Sequence, residues 1–152
     1  MRKSSIMNKA LAFFKAQIGK NASQSPSPLL RWLNPILLDA DEGSLEFEHV
    51  VREEMTNPMR ILHGGATAAI IDDAMGATVF SLGKKHMYTT VNLNIDYFST
   101  AKEGDTIIAK TNMVKKGNQI MNVACELWNA DRSRLIAKGY SNLLKTDLEH
   151  QF

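Results

Sequence analysis

Apolar and polar residues alternate along much of the second half of the chain, which predicts β-strands. Between residues 87 and 98, Val91, Leu93, Ile95 and Tyr97 share one face, and Asn or Asp side chains occupy the other. This alternation is typical of a strand that is buried on one side. The same pattern predicts strands over residues 105–114, 119–129 and 134–146, joined by turns at 115–118 and 129–132.

An earlier segment, residues 35–55, has the pattern of a β-hairpin. Its turn is predicted at Asp41–Glu42–Gly43, and Leu45, Phe47 and His49 alternate with polar neighbours after it. The hairpin therefore adds two strands to the predicted sheet.

Two segments favour helices. Residues 64–82 are rich in Ala and Ile and predict one long helix, whereas residues 6–19 carry apolar side chains close to helical spacing, with Gly19 suited to the helix end. The shorter helix would pack on the edge of the body or lie on a membrane surface. The turn-rich stretch 21–28 follows it. We therefore divide the chain into a helical arm and linker, residues 1–34, and one domain, residues 35–147.

One central helix and a run of long strands on short turns predict an α+β fold. The expected architecture is an antiparallel sheet of about six strands wrapped around the helix, with an extra N-terminal helix. So small a sheet leaves strand edges open, and pairing with a second copy of the chain would close them. We therefore expect a homodimer.

Composition and charge exclude several classes of protein. A net charge of +2 on 152 residues argues against a nucleic-acid partner. No apolar run approaches the roughly 20 residues of a membrane helix, so no membrane partner is expected. Residues 1–38 hold six basic residues and no acidic one, weakly resembling an organellar transit peptide, yet a cytoplasmic protein is the expectation. The lone Cys125 fits a reducing compartment and a buried structural thiol.

Candidate chemistry is concentrated where the long helix begins. Gly64 and Gly65 open the helix, where backbone N–H groups lack partners and could stabilise an oxyanion, although two glycines could equally serve only a tight turn. His63 could be a general base, a metal ligand or a hydrogen-bonded structural residue, and we expect it to fix the loop at the helix start. The other histidines are scattered, so a metal site is not expected.

Two adjacent carboxylates, Asp72 and Asp73, occur about two turns into this apolar helix. Asp72 could be a buried base with a raised pKa, or the pair could lie on a solvated face; periodicity alone favours the solvated pair. Eight helical residues span about 12 Å, too far for Gly64 and Asp72 of one chain to act on one carbonyl. If both residues are catalytic, the site lies between two subunits.

The combined motif resembles the PaaI-type hotdog-fold acyl-CoA thioesterases, over roughly residues 35–146. It consists of Asn57, His63-Gly64-Gly65, Asp72 and the strand TTVNLNIDYFSTAKEGD. The resemblance implies hydrolysis of an acyl-CoA without a cofactor, in a homodimer or homotetramer. It also implies a catalytic role for Asp72 that periodicity alone does not favour.

Site roles follow from the resemblance, position by position. The Gly64 N–H would polarise the thioester carbonyl, and Asp72 of the partner subunit would act as general base or nucleophile. His63 and Asn57 would orient the thioester, the loop or the attacking water, Thr90 would help to place the water, and Asp73 would be a solvated neighbour. Coenzyme A would bind along two segments, whose residues are Tyr97, Phe98, Ser99 and Lys102, and Lys115, Lys116, Gly117 and Asn118.

Two positions depart from the family pattern. Arg60 replaces a common Gly and could narrow or charge the acyl entrance, and Thr100 replaces a common Pro. The acyl group is expected to be apolar or aromatic, facing Ala66, Ala69, Ile70, Phe80 and Phe98. The alternatives are an acyl-CoA binding module without turnover and a hotdog-fold acyl-thioester hydratase or dehydratase.

Overall fold

The computed structural model of the protein describes residues 8–150. Its elements are α1 (Lys9–Gln17), α2 (Pro28–Leu33), β1 (Ile36–Asp41), β2 (Ser44–Val50), a single 3-10 turn (Glu53–Met55), α3 (Gly64–Ser81), β3 (His86–Tyr97), β4 (Thr106–Lys116), β5 (Ile120–Asn129) and β6 (Leu135–Glu149). The six strands form one antiparallel sheet in the order β1-β2-β4-β5-β6-β3. The predicted α+β architecture, with a six-stranded sheet around one long helix, is confirmed.

Helix α3 is the centre of the core. Ile70, Ile71 and Met75 on its sheet-facing side are fully buried. The helix approaches β6 so closely that a Cβ at Gly139 would lie 2.5 Å from Cγ2 of Ile71. A strand glycine therefore permits the close packing of helix on sheet.

A buried polar cluster also ties α3 to the sheet. Oγ1 of Thr78 on α3 lies 2.5 Å from Oγ1 of Thr111 on β4, and Oγ1 of Thr111 accepts a hydrogen bond from the Leu45 N–H at 2.8 Å. Both threonines are fully buried. Burial without such partners would be costly, so the cluster fixes the helix relative to the hairpin.

We expect Thr111→Val to lower the free energy of unfolding by about 1–3 kcal/mol, because it leaves the buried Leu45 N–H without its acceptor. Urea denaturation measures the loss. Thr111→Ser keeps the hydroxyl and should be less destabilised. A valine variant as stable as the wild type would contradict this account.

The N-terminal arm packs against the body. Phe14 of α1 is buried and meets the Phe80 ring edge-on at 6.0 Å between centroids, while Asn8 Nδ2 donates to the Ser81 carbonyl at 2.8 Å. Gly19 has φ +82° after α1, as expected of a residue that ends a helix. Positions 6 and 7 of the predicted helix lie outside the described residues. Of the two placements that the sequence left open for this helix, the structure shows packing against the body.

Helix α2 was not anticipated by the sequence analysis, which placed only a linker and the hairpin start in this region. Ser27 caps the helix by accepting the Leu30 N–H, and Pro28 occupies its first turn. Asn34 then ends it in the left-handed conformation. The Ser-Pro signal was present, but it lay in a Ser/Pro-rich stretch that resembles a linker.

Strand β3 departs from the simple alternation predicted for it. The register with β6 passes from Thr90 opposite Leu143 to Asn92 opposite Asn142, so Val91 is an extra residue in a bulge. Val91 is accordingly exposed, and the prediction that it shares one face of the strand with Leu93 is wrong. Because a bulge shifts the alternation by one residue, it sets which face Thr90 occupies.

Candidate active site

The loop before α3 is held by Asn57. Its side-chain oxygen accepts the N–H groups of Met59 at 3.0 Å and Ile61 at 3.4 Å, and its own N–H donates to the Ile61 carbonyl at 2.9 Å. This is a compact turn built around one amide side chain. Asn57 therefore orders the loop that leads to the helix start.

His63 caps α3 from the end of that loop. Its Nδ1 accepts the Gly65 N–H at 2.8 Å, and its backbone N–H donates to the Met55 carbonyl at 2.9 Å. Because Nδ1 accepts this hydrogen bond, a neutral ring carries its proton on Nε2. His63 therefore satisfies one of the N–H groups at the start of the helix.

Gly64 is the exposed first residue of α3. The Tyr97 hydroxyl donates to the Gly64 carbonyl at 2.8 Å. The helix itself supplies no acceptor for its first N–H groups, where the macrodipole is positive. The Gly64 amide thus has the position and polarity of a donor to an oxyanion.

Asp72 on α3 lies beside Thr90 on β3. Thr90 Oγ1 donates to Asp72 Oδ1 at 3.1 Å. The bond depends on the face that Thr90 occupies just before the bulge at Val91. The structure thus brings together two of the residues singled out in the sequence.

Asp73 is not the solvated neighbour that the sequence analysis expected. Its carboxyl is half-buried, and burial raises its pKa from 3.8 to about 6, with the nearby Asp72 charge raising it further. Asp73 lines the same cleft as residues of the arm, which is remote in sequence and outside any local pattern around α3.

We expect Asp73→Asn to stabilise the protein at neutral pH. The folded state holds the Asp73 proton more tightly than the unfolded state, so between pH 3.8 and about 6 rising pH erodes wild-type stability. The variant escapes this loss and should gain about 2–3 kcal/mol near pH 7.5, with the gain shrinking toward pH 4. Urea unfolding across that pH range measures it. If the difference in unfolding free energy between the variant and the wild type did not change with pH, Asp73 would not have a raised pKa.

One protomer does not unite all the predicted residues. Gly64 and Asp72 are about 12 Å apart along the helix. The segment 115–118 meets β3 at its beginning, where the Tyr88 hydroxyl donates to the Asn118 carbonyl at 2.8 Å, whereas Tyr97 ends the strand. Tyr88 and Tyr97 are nine positions apart along the strand, a distance of about 30 Å.

The segment after β3 presents a cluster of polar groups. Phe98 and Lys102 are exposed, and the Ser99 hydroxyl donates to the Leu135 carbonyl at 2.9 Å. Arg134, which the sequence analysis did not single out, donates to Ser99 Oγ at 2.8 Å and to the Thr100 carbonyl at 2.6 Å. Arg134 adds a cation at the segment where the family pattern predicts coenzyme A.

The second expected segment begins inside a strand. Lys115 and Lys116 are exposed residues of β4 rather than of the turn, and Lys116 Nζ lies 3.5 Å from an oxygen of Glu42. The turn that follows is tight, because a Cβ at Gly117 would lie 2.1 Å from the Ile120 carbonyl oxygen. Gly117 and the exposed Asn118 therefore shape the loop between β4 and β5.

Arg60 has φ +60°, the left-handed conformation that favours glycine, which explains the Gly common at this position in the family pattern. Its guanidinium lies 2.6 Å from Glu53 and 3.5 Å from Glu103. The charge is thus directed to two acidic side chains on the surface.

The side chains expected around the acyl group are dispersed. Ile70 is fully buried in the core and Phe98 is exposed, whereas Ala66 and Ala69 are half-buried. Phe80 does line a cleft of about 770 Å³, together with Asp72, Asp73 and Thr90. The arm forms the other side of this cleft, which no local pattern could have indicated.

Cys125 and His49 do not line this cleft. Cys125 is buried, and burial raises the pKa of its thiol to about 12. His49 is buried in β2, and desolvation and the Arg52 charge lower its pKa to about 4. Within residues 8–150, no group of three or more His, Cys, Asp or Glu side chains is arranged to hold a metal ion. None of the helices in that range is long and apolar enough to span a bilayer.

Known proteins are similar to this chain in sequence or in fold. The family profile described as Thioesterase superfamily matches residues 59–136. Acyl-coenzyme A thioesterase 13 of Homo sapiens is 32% identical over 103 residues, 68% of this chain and 74% of its own. The E. coli PaaI protein from the phenylacetic acid degradation operon superposes with a TM-score of 0.79 at 18% identity, over 93% of this chain and 97% of its own. Zebrafish thioesterase superfamily member 2 superposes with a TM-score of 0.73 at 26% identity, over 93% of this chain and 99% of its own.

Proposed function

The chain belongs to the thioesterase superfamily, and we propose that it hydrolyses an acyl-CoA to a free carboxylic acid and coenzyme A at a site shared by two subunits. Acyl-CoA thioester hydrolysis is the activity that the family and the human relative indicate. The observation that carries the proposal is the pairing of Asp72 with Thr90, together with the capped helix start at Gly64.

The Gly64 N–H serves as the oxyanion donor. The thioester carbonyl oxygen approaches this amide, and the negative charge that develops on it during attack is stabilised by the N–H and the positive end of the α3 dipole. Asn57 and His63 keep the loop and the first turn in place. The Tyr97 hydroxyl also holds Gly64 in place, because it donates a hydrogen bond to the Gly64 carbonyl.

Asp72 of the partner subunit serves as general base. Thr90 occupies one carboxylate oxygen, which leaves the other to accept a proton from water. The water oxygen bonds to the carbonyl carbon as its proton passes to Asp72. The tetrahedral intermediate then collapses, the C–S bond breaks, and the thiolate leaves as coenzyme A after taking that proton back from Asp72. Single turnover in isotopically labelled water tests this role, because label in Asp72 itself would indicate nucleophilic attack by the carboxylate.

A two-fold axis across the free edge of β3 would complete the site. Within the described protomer β3 pairs only with β6, so its other edge is open. Thr90 and Tyr97 are seven strand residues apart, about 23 Å. Antiparallel pairing of two β3 edges about an axis near Leu93 and Asn94 would place the partner subunit's Thr90 opposite Tyr97, and with it the partner subunit's Asp72 near Gly64.

The same pairing supports a shared coenzyme A site. It would bring the partner subunit's Asn118 turn, which lies beside the start of β3, toward the segment after Tyr97 of the first subunit. Lys102 and Arg134 from one subunit and Lys115 and Lys116 from the other would then supply cations for the phosphates of coenzyme A.

The activity is tested by following free thiol release from acetyl-, hexanoyl-, dodecanoyl-, palmitoyl- and phenylacetyl-CoA. A protein-only blank corrects for any reaction of Cys125 with the thiol reagent. We expect multiple turnovers on at least one substrate. Binding of acyl-CoA with no thiol release from any of them would instead indicate a binding module.

A further inference from the structure

A cleft of about 770 Å³ extends away from Asp72 between α3 and the N-terminal arm. Thr90 and Asp72 line one part of it, so an acyl group whose carbonyl reacts at Asp72 would begin there. Aromatic and aliphatic side chains line much of the remainder: Phe13, Phe14, Leu30, Leu37, Phe47 and Phe80. The volume falls within the range typical of small-ligand pockets.

The cleft follows one side of α3. Asp72, Gly76 and Phe80 are spaced four residues apart, so they lie on one face of the helix and span about 12 Å. Such a length exceeds what an acetyl group would occupy and suits a longer carbon chain. The course of the cleft thus leads from the carboxylate to the ring of Phe80.

Gly76 keeps the middle of this path open. A Cβ built at Gly76 meets no heavy atom of the described protomer within 4 Å, leaving aside its chain neighbours and the adjacent helix backbone. A glycine inside a helix destabilises the folded protein by roughly 0.5–1 kcal/mol relative to alanine. The residue is therefore not required by packing within the protomer, and its small size leaves room in the cleft.

We propose that this cleft is the acyl pocket and that the N-terminal arm, α1 and α2, forms its outer wall, so that the enzyme selects apolar acyl groups of medium or greater length. This inference rests on the proposed thioesterase function. It gives the arm a specificity role, with Phe14 and Leu30 as contact residues for the acyl chain and Gly76 as the residue that admits it.

Gly76→Leu tests the pocket directly. The added side chain should lower kcat/KM for dodecanoyl-CoA about ten-fold or more, and change kcat/KM for acetyl-CoA by less than about two-fold. Gly76→Ala should give a smaller change in the ratio of kcat/KM for dodecanoyl-CoA to kcat/KM for acetyl-CoA. Circular dichroism and molar mass by light scattering establish that the variants keep their fold and assembly. Equal losses on both substrates in a correctly assembled variant would overturn the proposal.

Leu30 and Leu29 provide a matched pair on the arm. Leu30 lines the cleft, whereas Leu29 does not line it and is 45% exposed. Leu30→Ala should raise KM for dodecanoyl-CoA about five- to ten-fold relative to acetyl-CoA, since wall contacts are lost. Leu29→Ala should leave the ratio unchanged. Indistinguishable variants would show that the arm does not contact the acyl chain.

Calorimetry separates this proposal from the hydrolytic function. In an Asp72→Asn background, dodecanoyl-CoA should bind more tightly than acetyl-CoA, and the added Gly76→Leu should abolish the difference. This result would support the pocket even if the wild type released no thiol. Hydrolysis by the wild type without any dependence of affinity on chain length would overturn the pocket and leave the thioesterase function standing.

Discussion

Asp72→Asn is expected to lower kcat about 10³-fold or more on the best acyl-CoA substrate, because an amide cannot take a proton from water. Asparagine keeps the size of the side chain and can still accept the Thr90 hydrogen bond at its carbonyl oxygen. KM should therefore change much less than kcat. Steady-state thiol release, with unfolding monitored in parallel, measures both effects.

Asp73→Asn is the matched control for this experiment. It removes a carboxylate from the adjacent position on the same helix, but Asp73 has no place in the proposed proton transfer. We expect it to retain kcat within about ten-fold and to become more stable at neutral pH, as its raised pKa requires. If Asp73→Asn abolished turnover and Asp72→Asn did not, the assignment of the base would be wrong.

Gly64→Pro is expected to lower kcat about 10²–10³-fold, because it deletes the one N–H that would stabilise the oxyanion. The fold should tolerate the change. Proline is favoured in the first helical position, and His63 before it already has the extended conformation that proline requires, with φ −65° and ψ 139°. The free energy of unfolding should change by less than about 1 kcal/mol.

Gly64→Ala is the control for the amide. It keeps the N–H, and the added Cβ would lie 3.6 Å from the Tyr97 hydroxyl oxygen, an ordinary contact. We expect activity within several-fold of the wild type. If alanine and proline were equally damaging, a loss of space at the helix start, rather than of the amide, would explain the result.

Sequence patterns predicted most of the fold because the chain uses local signals consistently. Leu45, Phe47 and His49 alternate as predicted and are buried in β2, and the Ala- and Ile-rich segment forms α3 from Gly64 to Ser81. The family resemblance singled out Asp72 and Thr90, which the structure places in hydrogen-bond contact.

Long-range features escaped the sequence analysis for physical reasons. The bulge at Val91 depends on register with β6, which no window within β3 contains. The cleft that Asp73 lines is shared with an arm some fifty residues earlier in the chain. Helix α2 was obscured because a Ser-Pro helix start and a Ser/Pro-rich linker share the same residues. For the bulge and for the cleft beside Asp73, tertiary contacts determined what local composition left open.

The central claim is that each site takes Gly64 from one subunit and Asp72 from the other, and mixing two inactive variants tests it most directly. Asp72→Asn and Gly64→Pro would be unfolded together in equal amounts, refolded, and assayed for thiol release. In a dimer with shared sites, half of the molecules are mixed and each contains one intact site, so about a quarter of wild-type activity should return. If the mixture stayed as inactive as either variant, although mass spectrometry showed mixed dimers, the two groups could not act together across the interface and the shared site would be refuted.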